Sequence, residues 1–258
     1  MEASSSAAPR GLGRTRRRDA WWLYPAGVVA ALTAFTVYSV FAIAVGADYL
    51  STEDGARYLS PFYSPNLDEL FGIHPPFSFA FLVVWAPLGL RLTCYYYRKA
   101  YYRSFFLAPP ACAVGGPKRR RYRGETTFPW VLQNVHRYFF YFATIVLAFL
   151  WYDAGRAFFF TGSDGSLEPG VGLGSLVLLT NVVLLSAFTF GCNSFRHLVG
   201  GKLDCFACSP GRHRLWLGVS VLNGRHALWA WISLVVVALA DLYVRLSATG
   251  VIDDPRII

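Results

Sequence analysis

The chain has 258 residues, of which 55% are hydrophobic, 17% aromatic and only 15% charged. A soluble domain of this length carries about 25% charged residues, so most of this chain belongs where charge is costly, in a bilayer. The net charge of +9 would suit nucleic acid in a soluble protein, but the basic residues fall in short blocks between apolar spans. Membrane orientation explains them more simply, and no nucleic acid is expected as a partner.

In chain order, residues 1–20 form a basic tail with Arg10, Arg14, Arg16, Arg17 and Arg18. The apolar run that follows is longer than the hydrophobic region of a secretory signal, so it reads as a retained helix over 21–46. Residues 48–75 are rich in Pro, Ser and aromatics, too polar to cross, and read as an outer cap. A second helix is predicted over 76–97, with Pro87 inside it, and a third over 138–160. A fourth follows over 171–195 and a fifth over 227–246. Each is near the ~20 apolar residues that span a ~30 Å hydrocarbon core. Two amphipathic stretches, 129–137 and 212–226, lead into helices three and five.

Lys and Arg set the orientation. The segment after helix two carries Arg98, Lys99, Arg103, Lys118 to Arg121, and Arg123, and the one after helix four carries Arg196, Lys202, Arg212 and Arg214. The alternate loops are acidic, with Asp48, Glu53, Asp54, Asp68 and Glu69 in one and Asp164 and Glu168 in the other. The positive-inside rule then gives an all-α, five-helix transmembrane bundle over 21–248, N-terminus in, C-terminus out, with an outer tail over 249–258.

Ionisable residues within membrane helices are functional candidates. Cys94, His136, Cys192 and His226 fall at matching depth near the cytoplasmic ends of helices two to five. Two thiolates and two imidazoles on one centre suit a Rieske-type [2Fe–2S] cluster or zinc. His136 and His226 alone would instead suit the axial positions of a b-type haem. Taken singly, each cysteine also reads as a small core residue and each histidine as an interfacial cap. Cys205-x-x-Cys208, with His197 before it and His213 after it, has the spacing of zinc and iron–sulfur sites. It equally fits two loop thiols, reduced like Cys112 because basic loops face the cytoplasm. Tyr95, Tyr96, Tyr97, Tyr101 and Tyr102 interleave with Arg98, Lys99 and Arg103. That belt offers hydroxyl and cationic donors to a quinone headgroup, or forms an interfacial aromatic belt with snorkelling cations. Tyr95, Arg98 and Tyr101 are the quinone candidates, with Arg91 and Arg137 as nearby charges. A non-redox scaffold or transporter is the remaining class, but the inverted repeats and mid-membrane interruptions of transporters are not visible.

Several longer motifs resemble one family. They are Tyr58-Leu-Ser-Pro-Phe-Tyr-Ser-Pro65, Cys94-Tyr-Tyr-Tyr-Arg-Lys-Ala-Tyr-Tyr-Arg-Ser-Phe-Phe and Pro109-Pro-Ala-Cys-Ala-Val114. Gly124-Glu-Thr-Thr-Phe-Pro129, Gln133-Asn-Val-His-Arg-Tyr-Phe-Phe-Tyr141, Asn223-Gly-Arg-His226 and Ala238-Leu-Ala-Asp-Leu-Tyr-Val-Arg-Leu246 extend the match. Over roughly residues 48–254 the chain resembles the single-chain membrane anchor of the actinobacterial-type (type F) succinate dehydrogenase. The resemblance implies a multi-pass subunit of respiratory complex II in the bacterial inner membrane. A flavoprotein subunit would oxidise succinate, which never meets this chain. An iron–sulfur subunit docked on the basic face would relay electrons through a Rieske-type [2Fe–2S] centre to quinone. The matched ligand positions are Cys94, His136, Cys192 and His226. One motif departs: family members often read Cys-His-Ser-Cys-Arg-His at the end of helix four, where this chain reads Cys192-Asn-Ser-Phe-Arg-His197. If the second cysteine of that motif is a ligand, Phe195 cannot replace it, and Cys205 or Cys208 would have to.

Overall fold

The computed structural model describes residues 11–52, 55–72, 75–117, 126–128, 130–162, 164–201 and 203–257. Arg10, Glu53, Asp54, Lys118 to Arg121, Arg123, Gly124, Glu125, Pro129 and Lys202, named above, lie outside the described residues. The chain divides into two units, one of residues 1–37 and 91–135, the other of 38–90 and 136–258.

Helix α1 (Leu23–Val45) runs from the first unit into the second, and α3 (Ala80–Thr93) returns from the second to the first, after the short α2 (Leu67–Phe71). In the first unit the N-terminal segment pairs with the loop after α4 (Tyr95–Ser104) through a bridge between Thr15 and Val114. Gly13 N–H donates to the Gly115 carbonyl and Gly115 N–H to the Arg14 carbonyl, both at 2.8 Å. A 3-10 turn over Trp130–Val135 leads out of the unit.

The second unit is built on α5 (His136–Arg156), α6 (Leu173–Phe190) and α9 (His226–Ala248). α6 packs against both α5 and α9, and α7 (Asn193–Gly200) against α8 (Pro210–Gly224). Along α9 the buried residues His226, Ala230, Ser233, Leu234, Val237, Ala240, Asp241, Val244 and Ser247 recur at three- and four-residue steps. One stripe is therefore buried, and its Ala and Ser let backbones approach closely. At the C-terminal end of α9 sit two antiparallel hairpins, β1 (Leu50–Ser51) with β2 (Tyr58–Leu59) and β3 (Phe159–Thr161) with β4 (Leu167–Pro169).

Among the described residues, four helical stretches are long and apolar enough to cross a membrane: Leu23–Val45, Val131–Arg156, Leu173–Phe190 and His226–Ala248. The helix expected over 76–97 differs. Its apolar part, α3, has 14 residues, about 21 Å at 1.5 Å per residue and short of a ~30 Å core. The chain breaks at Cys94, where ψ is 134°, and restarts as α4. Helix four breaks in the same way at Cys192, so the span expected to 195 stops at Phe190. The two amphipathic stretches are the 3-10 turn and α8, each leading into the next long helix.

Candidate redox site

Both breaks are built alike. Cys94 (φ −65°, ψ 134°) and Cys192 (φ −65°, ψ 141°) are extended residues that N-cap a new helix. Each is also buried. Cysteine is outside the usual N-cap set of Ser, Thr, Asp and Asn, yet Cys192 Sγ accepts the Ser194 N–H at 3.4 Å. The sulfur thus takes over a capping oxygen's work while facing inward. Gly191 makes the break at Cys192 sterically possible. A Cβ there would sit 2.6 Å from the Ala187 carbonyl and 3.3 Å from His226 Nδ1. Asn223 Nδ2 donates to the Gly191 carbonyl at 2.9 Å and fixes the turn.

The two histidines open the long helices α5 and α9. His136 Nε2 lies 3.0 Å from Cys192 Sγ, so the structure joins two of the four predicted residues. His226 is buried, its ring parallel to Phe188 with centroids 5.0 Å apart. Cys94 belongs to the first unit. Among the described residues no three His, Cys, Asp or Glu side chains are grouped as a metal ion would need. Sequence reasoning missed the supporting residues Phe188 and Gly191, and saw Ser194 and Asn223 only as parts of motifs.

The secondary ligand candidates behave differently. Cys205 and Cys208 form a disulfide, their Cα atoms 5.4 Å apart and within ordinary bridging reach. The expectation of reduced loop thiols is corrected, and in this form neither cysteine can stand in for a ligand at position 195. His197 is exposed at the end of α7. Phe195 packs on Phe140 and Phe190, with centroids 5.8 and 5.1 Å away. Its ring closes an aromatic cluster with them.

Among the quinone candidates in the first unit, Arg91 is buried and donates to Tyr97 Oη. Arg98 lies over the exposed Tyr95 ring at 5.7 Å. Tyr101 Oη donates to the Leu92 carbonyl (3.2 Å) and accepts from Gln133 Nε2 (3.0 Å). Burial pushes the Tyr101 phenol above its ordinary value, so it stays a proton donor at neutral pH. Arg137 is exposed on the first turn of α5 in the second unit.

Long apolar helices that open on His136 and the buried His226, with the buried Cys192 at a helix break, define a helical membrane protein with sulfur and imidazole donors. A family model described as actinobacterial succinate dehydrogenase subunit SdhC matches residues 23–250. The chain belongs to that family and is a membrane subunit of a succinate dehydrogenase complex. A solved structure described as the Mycobacterium smegmatis Sdh1 complex in the apo form is similar to it. Identity is 41%, coverage 98% of each chain and the TM-score 0.83. No curated protein matches the chain.

Proposed function

We propose that this subunit anchors succinate dehydrogenase in the bacterial inner membrane as its quinone-reducing part. It would cross five times, N-terminus in, with α3 and the first turn of α4 making the second crossing. Flavoprotein and iron–sulfur subunits would be its partners on the basic side, and it would bind no succinate. Cys94, His136, Cys192 and His226 would hold a Rieske-type [2Fe–2S] group. The observation that carries this reading is the His136–Cys192 contact at a capped helix break, whose backbone geometry Cys94 repeats. The donor chemistry fits, with two buried sulfurs and two imidazoles at helix starts.

When bound, such a group supplies one-electron chemistry at a potential above that of all-cysteine clusters. The residues prepare for it in definite ways. The hydrogen between His136 Nε2 and Cys192 Sγ must leave on ligation, because thiolate and neutral imidazole are the binding forms. The Ser194 N–H would then donate to a thiolate instead of a thiol. Arg98 offers hydrogen bonds to a quinone carbonyl, and Tyr101 would offer its one O–H by turning away from the Leu92 carbonyl.

Electron paramagnetic resonance on the purified complex tests the ligand set. A reduced Rieske-type signal should be present and should vanish in His136→Ala with His226→Ala. An unchanged signal would sink the assignment, and a sharp haem α band in the reduced-minus-oxidised spectrum would replace it with b-type haem.

A further inference from the structure

The Cys205–Cys208 bridge has no part in the proposed redox centre, yet it sits beside the elements that carry Cys192. We propose that it is a reversible thiol–disulfide site opened by a soluble dithiol, and that opening it loosens the α7–α8 hairpin.

Three observations support this. First, both cysteines are exposed, and the bridge spans a sequence separation of only 3. So short a loop removes little entropy from the unfolded chain, which makes the bridge a poor staple and leaves chemistry as its better use. Second, the sulfurs are inequivalent. Cys208 N–H points at Cys205 Sγ at 3.1 Å, a donor that stabilises negative charge there and makes Cys205 the better leaving thiolate. Third, the residue after Cys205 ties the loop to the hairpin. Phe206 stacks on His213 (4.8 Å) and lies 5.3 Å from Trp216. Trp216 in turn carries the Arg196 guanidinium of α7 at 4.7 Å, while Arg196 Nε donates to Ser220 Oγ of α8 at 2.9 Å. α7 begins at the residue after Cys192.

The chemistry balances. A thiolate of the reductant attacks Cys208 Sγ, breaking the S–S bond, forming a mixed disulfide and releasing Cys205 as thiolate. The reductant's second thiolate displaces Cys208 and leaves as a cyclic disulfide. Two electrons pass from reductant to cysteine pair, and two protons complete the thiols. In the orientation proposed above, the loop faces a compartment where dithiol reductants are at hand. The link to Cys192 rests on the proposed ligand set, whereas the thiol chemistry does not.

The test uses the whole complex in membrane vesicles, with maleimide labelling read peptide by peptide. Cys205 and Cys208 should be unlabelled as isolated, labelled after dithiothreitol, and, once it is removed, protected again by oxidised glutathione. Exposed Cys112 should label throughout. Limiting glutathione should leave its adduct on Cys208. Amide exchange at residues 205–216 should lose protection on reduction. Labelling without reductant, or failure to re-form the bridge, would overturn the site. An adduct on Cys205 would overturn the leaving-group assignment, and unchanged exchange the link to the hairpin. Cys205→Ser with Cys208→Ser should abolish the cycle while succinate oxidation with a soluble dye stays intact. None of these readouts uses the metal centre or quinone, so they fail separately from the functional proposal.

Discussion

At the scale of single residues, the buried carboxylates concentrate the largest energies. Asp241 is fully buried and accepts from Tyr38 Oη (2.6 Å), Arg245 Nε (2.9 Å) and Ser60 Oγ. Arg245 also donates to the Ala42 and Ala47 carbonyls at 2.7 and 2.6 Å. Removing one partner of such a buried pair costs about 3–5 kcal/mol, so Asp241→Ala and Asp241→Asn should both lower the unfolding temperature in detergent, Ala by more because Tyr38 and Ser60 then lose their acceptor as well. Tyr58 donates to Asp254 at 2.6 Å, and burial raises its phenol pKa above the ordinary value. A group raised in this way contributes its stability below the free phenol value near 10 and loses it as pH rises through the folded value. Thermal melts between pH 6 and 9 should therefore not move on its account, while Tyr58→Phe should cost about 0.5–1.5 kcal/mol. The motif from Tyr58 to Pro65 acquires a physical meaning here. Its Tyr58, Ser60 and Ser64 reach Asp254, Asp241 and Asp153 in turn. Asp153 and Asp241 were legible in principle, as ionisable residues inside apolar runs. Their partners were not, because contacts across some 90 to 200 residues leave no local pattern.

At the scale of elements, close backbone approach decides what the helices tolerate. A Cβ on Gly89 of α3 would lie 2.2 Å from the Phe139 ring of α5. Gly89→Ala should cost about 1–3 kcal/mol through overpacking, and a smaller residue at 139 should restore much of it; a double-mutant melt checks this. The four long helices were readable because apolar length alone specifies them. The breaks at Cys94 and Cys192 were hidden, since Tyr95 to Tyr97 carry the aromatic run on past the first and the polar Asn193-Ser194 after the second reads equally as the interfacial end of one helix. What ends each helix there is a cap, a matter of one ψ angle. The disulfide was hidden for a different reason: basic flanks argue compartment, and compartment argued for free thiols.

At the scale of the whole molecule, membership of the succinate dehydrogenase membrane-subunit family separates the features tied to the proposed electron path from those that hold the bundle together. The C-terminal segment falls in the second group. Asp254 accepts from Tyr58, from Tyr243 and from the Gly174 N–H at 2.8 Å. Ile257 N–H donates to the Val171 carbonyl at 2.7 Å, and Leu173 N–H to the Pro255 carbonyl at 3.3 Å. A chain stopped after Ala248 should insert but yield little detergent-stable protein, measured by size-exclusion recovery, because the start of α6 loses these acceptors. The same arrangement has a consequence in time. Asp254 is translated after every described helix, yet it completes the first turn of α6, some 80 residues upstream. The bundle therefore waits, already in the bilayer, for a latch that leaves the ribosome after all its helices. Inserted but unlatched chains are the form a membrane protease would meet first.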